Sequence, residues 1–427
     1  MANSFKLTSQ VATNAMLALL VNNLVWGKHT NKKYNRYFGD KEDAKGDTIT
    51  IRRAQEFVTR TGATFDAQDI VTGSSSVIID TQRGVDFSWQ PTERELKVDS
   101  LLEDSILRGK MAALAQAIES DVANAAKEFS SWVGTPGQLV NSATDFLKAP
   151  QRLDEFAVAP SDRVGILPPA DFYGIGGSFT TQTFFGNNIN DPALRKMKLP
   201  MIGSVQPEMA QTSLSITTGT RVAADSLGIR VAGANQNVNY ATVKDGYTQT
   251  LDLEGLDPGS TISKGEIFTI AGVFAVNPRT KVSLGYLQEF VVMADATADS
   301  TGIVELTIAN PIIAATGAGT TLLTNTAFQT VSAAPANDAA VTFFGAASTT
   351  YNLPCVYHRD AIALSFVKPS RPYNGEFSYA TDPVTGVTIR VWAFSDGTND
   401  VHSYRCDVLY GVNNIDRRLG TKLSGTA

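Results

Sequence analysis

The chain has 427 residues, of which 43% are hydrophobic and 18% charged, and a formal net charge of −6. That length supports two or three domains with real cores, and the acidic balance excludes a dedicated nucleic-acid binder, which carries a basic surplus or stripe. Two cysteines, Cys355 and Cys406, are too few for a disulfide scaffold and point to a cytosolic folding compartment.

Residues 8–26 read as an amphipathic helix. Its apolar run, Ala15 to Trp26, is interrupted by Asn22 and Asn23 and has neither a basic leading region nor a cleavage site. It is also shorter than the ~20 residues of a membrane span, so an intracellular soluble protein without membrane contact is expected. The basic, aromatic segment GKHTNKKYNRYFGDK follows. Helix and strap together look like an arm that packs in cis or reaches a partner. Its candidate contact residues are Lys32, Lys33, Tyr34, Arg36 and Tyr37. Interleaved bases and aromatics also suit nucleic acid, but the acidic balance of the chain favours a protein contact.

Residues 46–95 change character. GDTITIRR alternates as a strand, EFVTRTGATFDAQDIVTGSSS is polar and turn-rich, and SVIIDTQRGVDFSWQPTE alternates again. Two strand-like limbs joined by a polar tip make a long β-hairpin or ribbon. An isolated hairpin is marginal in water and nothing local supplies a surface for it, so a neighbouring subunit is expected to. The candidate inter-subunit contacts are Arg52, Arg53, Phe57, Arg60, Phe65, Arg83 and Trp89.

Asp99 to Phe129 is the strongest signal in the chain. Leu107, Met111, Leu114, Ile118, Val122, Ala125 and Phe129 recur at steps of four and three, the spacing of one helix face. Ser100 and Glu103 form a capping box at its start. After it come a helix over 143–155, a strand Val164–Leu167 closed by Pro168-Pro169, a short helix Pro192–Met197 and a strand near Ile202–Val205. The pattern is α+β.

From Leu227 the chain becomes a series of short strands divided by Gly, Pro, Asn and Asp, which suggests a small β-barrel or sandwich. Residues 227–350 hold five basic and ten acidic residues, most of the negative excess. Mixed structure resumes at Tyr351, so this block reads as an inserted domain with 314–350 as its closing loop. The remainder is expected to hold a short helix and two more strands.

Nothing demands an enzyme. His29, His358 and His402 have no metal-ligand spacing, and no CxxC, GxSxG or GxxxxGK[ST] pattern occurs. FYGIGGS departs from GxGxxG and reads as a turn, and His358 beside Arg359 and Asp360 reads as structural. No catalytic, cofactor-binding or metal-binding residue is assigned.

In their order, the elements resemble the major capsid protein of tailed bacteriophages, with the Hong Kong 97 fold. They are most similar to coats of short-tailed Salmonella-type phages that carry an inserted β-barrel. LGIRVAGANQNVNYA, ISKGEIFTIAGVFAVNPRTK, LQEFVVMADA, VELTIANPII, LPCVYHRDAIALSF and LYGVNNIDRRLGTKLSG carry the likeness. The resemblance implies an N-terminal arm (1–45), an extended hairpin loop (46–95) and a peripheral domain with spine helix running into an axial domain (96–226). An inserted β-barrel (227–350) and a return to the axial and peripheral domains (351–427) complete it. It further implies a homo-oligomer of pentamers and hexamers, assembled in the host cytoplasm as a scaffolded procapsid that matures by expansion. Scaffolding protein, portal protein and weakly held double-stranded DNA are the implied partners, and no cofactor is. A β-rich tail or adhesin component is the other reading, which leaves the long helix and the ribbon without a purpose.

Overall fold

A computed structural model describes residues 6–34, 48–59, 62–65, 67, 70–89, 105–181, 199–236, 239–315, 326–396 and 401–426. The fold is α+β and strand-rich. The chain divides into two compact units, one of Met1–Ile49, Ser76–Ala125 and Ile362–Asn413, the other of Thr50–Ser75, Ala126–Ala361 and Asn414–Ala427.

In the first unit the N-terminal helix α1 runs Lys6–Asn23, and a 3-10 turn, Trp26–His29, ends what the periodicity extends to residue 26. Helix α2 spans Ser105–Ala126. The capping box lies outside the described residues. Met111, Leu114, Ile118 and Val122 are buried as the spacing requires, each contributing about 1.5–3 kcal/mol, and Ala115 is buried beside them. The far end of the stripe differs: Ala126 takes the buried place expected of Ala125, and Phe129 lies beyond the helix, ring to ring with Tyr357 at 5.6 Å. Strand Thr81–Trp89 pairs antiparallel with Val401–Asn414 in nine-residue register, from Trp89↔His402 to Thr81↔Tyr410. The sheet continues through Thr388–Asp396 to Glu376–Thr381. The second limb of the expected ribbon is therefore a sheet strand. Among the described residues Thr48–Arg52 pairs with Ser74–Ile78 alone, as a separate two-stranded sheet.

The second unit holds a mixed five-stranded sheet in the order Ser131–Val133, Gly420–Leu423, Cys355–His358, Arg163–Leu167, Val205–Met209. The last strand of the chain thus lies inside this sheet, between two others. Helix α3, Ala143–Glu155, has the expected bounds and is capped by Ser142, whose Oγ accepts from Asp145 N–H at 3.1 Å. Helix α4, Pro169–Thr181, replaces the turn expected at FYGIGGS. Glycine in a helix costs about 1 kcal/mol. Here a Cβ on Gly174 would stand 3.2 Å from the Val140 carbonyl oxygen, so glycine permits the close approach that buries Phe172 and Ile175. The strand near Ile202 begins at Val205 instead, and Pro192–Met197 lies outside the described residues.

The same unit carries a six-stranded sheet, Val341–Phe343, Ile267–Val276, Ser283–Val292, Val304–Ala309, Thr248–Glu254, Arg230–Val231. Alternation along Thr248–Glu254 turns Leu251 and Leu253 inward onto Phe268, Phe290 and Leu306. The two ends meet: Arg230 bridges Ala340, Val231 N–H donates to Ala339 O at 3.0 Å, and Val341 N–H donates to Ile229 O at 2.9 Å. The sheet is a nearly closed barrel, and the stretch expected as a closing loop supplies the closing strand. Beyond it the sequence underestimates the strands. Among the described residues six lie between Cys355 and Leu423, and the expected helix is the 3-10 turn Arg359–Ala361.

Candidate assembly surface

Among the described residues from Arg53 to Ile70, Arg53 and Glu56 are tied down by charge while three large apolar side chains are exposed. Arg53 lies 3.6 Å from Asp416 and stacks on Tyr247, 4.2 Å from the ring centroid. Glu56 pairs with Lys281 at 2.9 Å and with Arg418 at 3.3 Å, and Arg418 also holds Asp416 at 2.9 Å. Burial alone would raise Asp416, but the guanidinium groups of Arg418 and Arg53 outweigh it and hold the carboxyl well below the usual range. Burial pushes the Tyr247 phenol up to about 12, so it stays neutral among these charges. Past this cluster Phe57 is 58% exposed, Phe65 84% and Ile70 69%. These three large apolar side chains, all in the stretch expected to form the ribbon, are left in water.

The expected contact residues thus part company. Phe57, Phe65 and Arg52 are exposed, whereas Arg53 is taken up in the charged cluster. Arg83 reaches helix α2, where its Nε and Nη2 donate to the two Asp121 oxygens at 3.1 and 2.9 Å, and Tyr410 donates to the same carboxylate. Trp89 is placed by register opposite His402, and Arg60 lies outside the described residues. Sequence reasoning missed Glu56, Tyr247, Asp416 and Arg418. The run Asp416-Arg417-Arg418, three adjacent charges near the end of a sparsely charged chain, was the signal available.

At the N-terminal strap Lys32 and Tyr34 are half-buried, Lys33 is exposed, and Lys33 N–H donates to Asn31 Oδ1 at 2.9 Å. Arg36 and Tyr37 lie outside the described residues. The strap is held from α2: buried Glu119 accepts from Trp26 N–H at 2.8 Å and Gly27 N–H at 2.9 Å. Burial raises the Glu119 carboxyl despite these bonds.

The barrel is fixed to the five-stranded sheet by buried charge. Glu289 lies 3.6 Å from Arg152 and accepts from Trp132 N–H at 3.1 Å. Lys422, fully buried, donates to Gly265 O at 2.8 Å, and desolvation brings its amine down to about 7. Reactive chemistry is poorly served. Among the described residues no three His, Cys, Asp or Glu side chains cluster as metal ligands, and burial pushes both thiols up, that of Cys406 to about 12. No helix among the described residues is long and apolar enough to cross a membrane.

Three comparisons bear on this geometry. The family described as P22 coat protein, gene protein 5, matches residues 1–425. No curated protein matches the chain. Solved structures similar to it include one of Mycobacterium phage Che8, at 11% identity and a TM-score of 0.46, covering 93% of this chain and 90% of that one. The capsid of Ralstonia phage GP4 is similar at 8% identity and a TM-score of 0.39, covering 93% and 92%. The CUS-3 coat protein I-domain aligns at 25% identity and a TM-score of 0.21, covering 28% of this chain and 96% of that one.

Proposed function

The chain belongs to the P22 coat protein family, a family of major capsid proteins, and from that premise we propose that its copies close an icosahedral shell around double-stranded DNA. The arrangement is of the Hong Kong 97 type. Residues 1–45 act as an arm, 46–95 as an extended loop, 96–226 and 351–427 as peripheral and axial domains, and 227–350 as an inserted barrel. One observation carries the contact between copies: Phe57, Phe65 and Ile70 stand exposed beyond a base that Arg53, Glu56, Asp416 and Arg418 lock in cis. A segment held at one end and apolar at the other gains its remaining contacts on a neighbouring subunit, and such a heterologous contact closes rings when repeated by rotation. Those rings are the pentamers and hexamers of the shell.

The strap at Lys32, Lys33, Tyr34, Arg36 and Tyr37 faces a scaffolding protein or a neighbour during assembly in the host cytoplasm, and a portal protein replaces one capsomer. Packaged DNA is held weakly, as a net charge of −6 allows, and maturation expands the shell by hinge-type rotation. No step calls for a catalytic residue. Expressed with a scaffolding partner, the protein is expected to sediment as shells or aberrant polymers visible by negative stain. A chain that stays monomeric under those conditions sinks the proposal. Replacing residues 62–70 by a short Gly-Ser linker is expected to block assembly while circular dichroism stays unchanged. Unfolding instead would mean that the tip serves its own subunit.

A further inference from the structure

In the first unit a short loop joins strand Ile362–Val367 to Glu376–Thr381. Ser378 turns toward α1, where it bonds Thr13, so its neighbours Phe377 and Tyr379 occupy the opposite sheet face, across from Trp392 and Arg390. Three donors from that face hold the loop down. Tyr379 Oη donates to Pro369 O at 3.0 Å, Arg390 Nη1 to Ser370 O at 2.7 Å, and Trp392 Nε1 to Asn374 O at 2.7 Å. Lys368 lies over the Tyr379 ring at 4.4 Å and Arg371 over the Phe377 ring at 4.8 Å. Pro369 and Pro372 stiffen the loop. Gly375 adopts φ +84° and lies so close to the sheet that a Cβ there would stand 2.4 Å from Ala393 O.

Amid this restraint Tyr373 is fully exposed. A rigid loop that presents a bare aromatic has already lost the conformational freedom that binding would otherwise remove, and a tyrosine has only two χ angles left to order. We propose that Tyr373, with Arg371 beside it, is a preformed anchor that docks on an acidic surface of a second copy of this chain. Charge supports that occupant. Residues 366–375 carry Lys368 and Arg371 and no acid, whereas each copy has a net charge of −6, with ten acidic and five basic residues across 227–350. Copies of like charge repel, and a cationic knob against an acidic face offsets that repulsion where they meet.

The inference rests on the shell reading, and the test separates the two. Parent protein, Tyr373→Ala, Arg371→Glu and Trp392→Phe are assembled at matched salt and followed by sedimentation velocity and negative stain. Tyr373→Ala is expected to raise the protein concentration needed for half-assembly about tenfold, with circular dichroism and thermal midpoint unchanged. Arg371→Glu should do at least as much. Trp392→Phe keeps a ring but removes one tether, so a smaller rise is expected. Assembly of Tyr373→Ala at the parent's concentration overturns the inference. So does unfolding of that variant, or normal shells that have lost affinity for a short DNA duplex, which would assign the knob to nucleic acid. If the parent itself forms no particles, the shell reading falls and takes this inference with it.

Discussion

The barrel and the ribbon stretch solve opposite problems with similar residues. In the barrel Val231, Leu251, Leu253, Phe268, Phe290 and Leu306 are all essentially inaccessible, and backbone bonds between residues 229–231 and 339–341 close the seam. Closure removes the sheet's edges and the exposed apolar surface together. The ribbon stretch buries its charged base and leaves Phe57, Phe65 and Ile70 in water. One region has finished its folding within the subunit. The other leaves large apolar side chains exposed, which is the surface proposed above to meet a neighbouring copy, so hydrophobic content alone does not separate a buried residue from an exposed one.

The contrast breaks most readily at the barrel. Phe290→Ala, which removes a ring 5.7 Å from that of Phe268, should cost about 3–5 kcal/mol in chemical denaturation. A loss below 1 kcal/mol would mean that the barrel repacks freely and is less complete than its closure implies. Arg418→Ala strips Asp416 and Glu56 of a shared partner and should cost about 1.5–3 kcal/mol by the same measurement. Because Asp416 is held below its ordinary value, its contribution is present above an ordinary carboxylate pKa and fades as pH falls below that. The difference between Arg418→Ala and the parent should therefore shrink in acid.

Lys422→Met tests the junction under the barrel. A lysine brought down from 10.5 to about 7 contributes most above its unfolded value, and that contribution is lost as pH falls through about 7. The parent's thermal midpoint should rise between pH 7 and pH 10, and the variant should flatten that rise. An unaltered profile would exclude Lys422 as its source. The smallest effect on stability is expected at Phe65→Ser, within about 0.5 kcal/mol, because the ring is 84% exposed. Shell yield should nonetheless fall, and a variant that loses stability instead would place Phe65 in its own subunit's core.

The long helix and the barrel strands were legible because they bury one face against their own chain. Met111, Leu114, Ile118 and Val122 follow a period of 3.6, and Leu251 and Leu253 a period of two. Pairing was not legible. Thr81–Trp89 alternates equally well as a ribbon limb or as a sheet strand, and its partner lies more than 300 residues away, at Val401–Asn414. Of the proposed contact surface, Phe57 and Phe65 could be named from apolar residues in a polar setting. Arg53 in the same stretch could not be told from them, since its partners Tyr247 and Asp416 are remote in sequence. Tyr373 gave no local signal: its loop is pinned by Tyr379, Arg390 and Trp392, whose side chains share a face only once the sheet has formed.

By itself, then, the sequence determined the long helix, the alternating strands of the barrel, and the resemblance to a capsid family. Each of these is encoded in periodicity or in short stretches of adjacent residues. Only the tertiary structure decided which strand pairs with which, that residues 341–343 close the barrel, and which charges are used up within the subunit. Those outcomes depend on groups brought together from distant positions, where burial and hydrogen bonding act on the assembled fold.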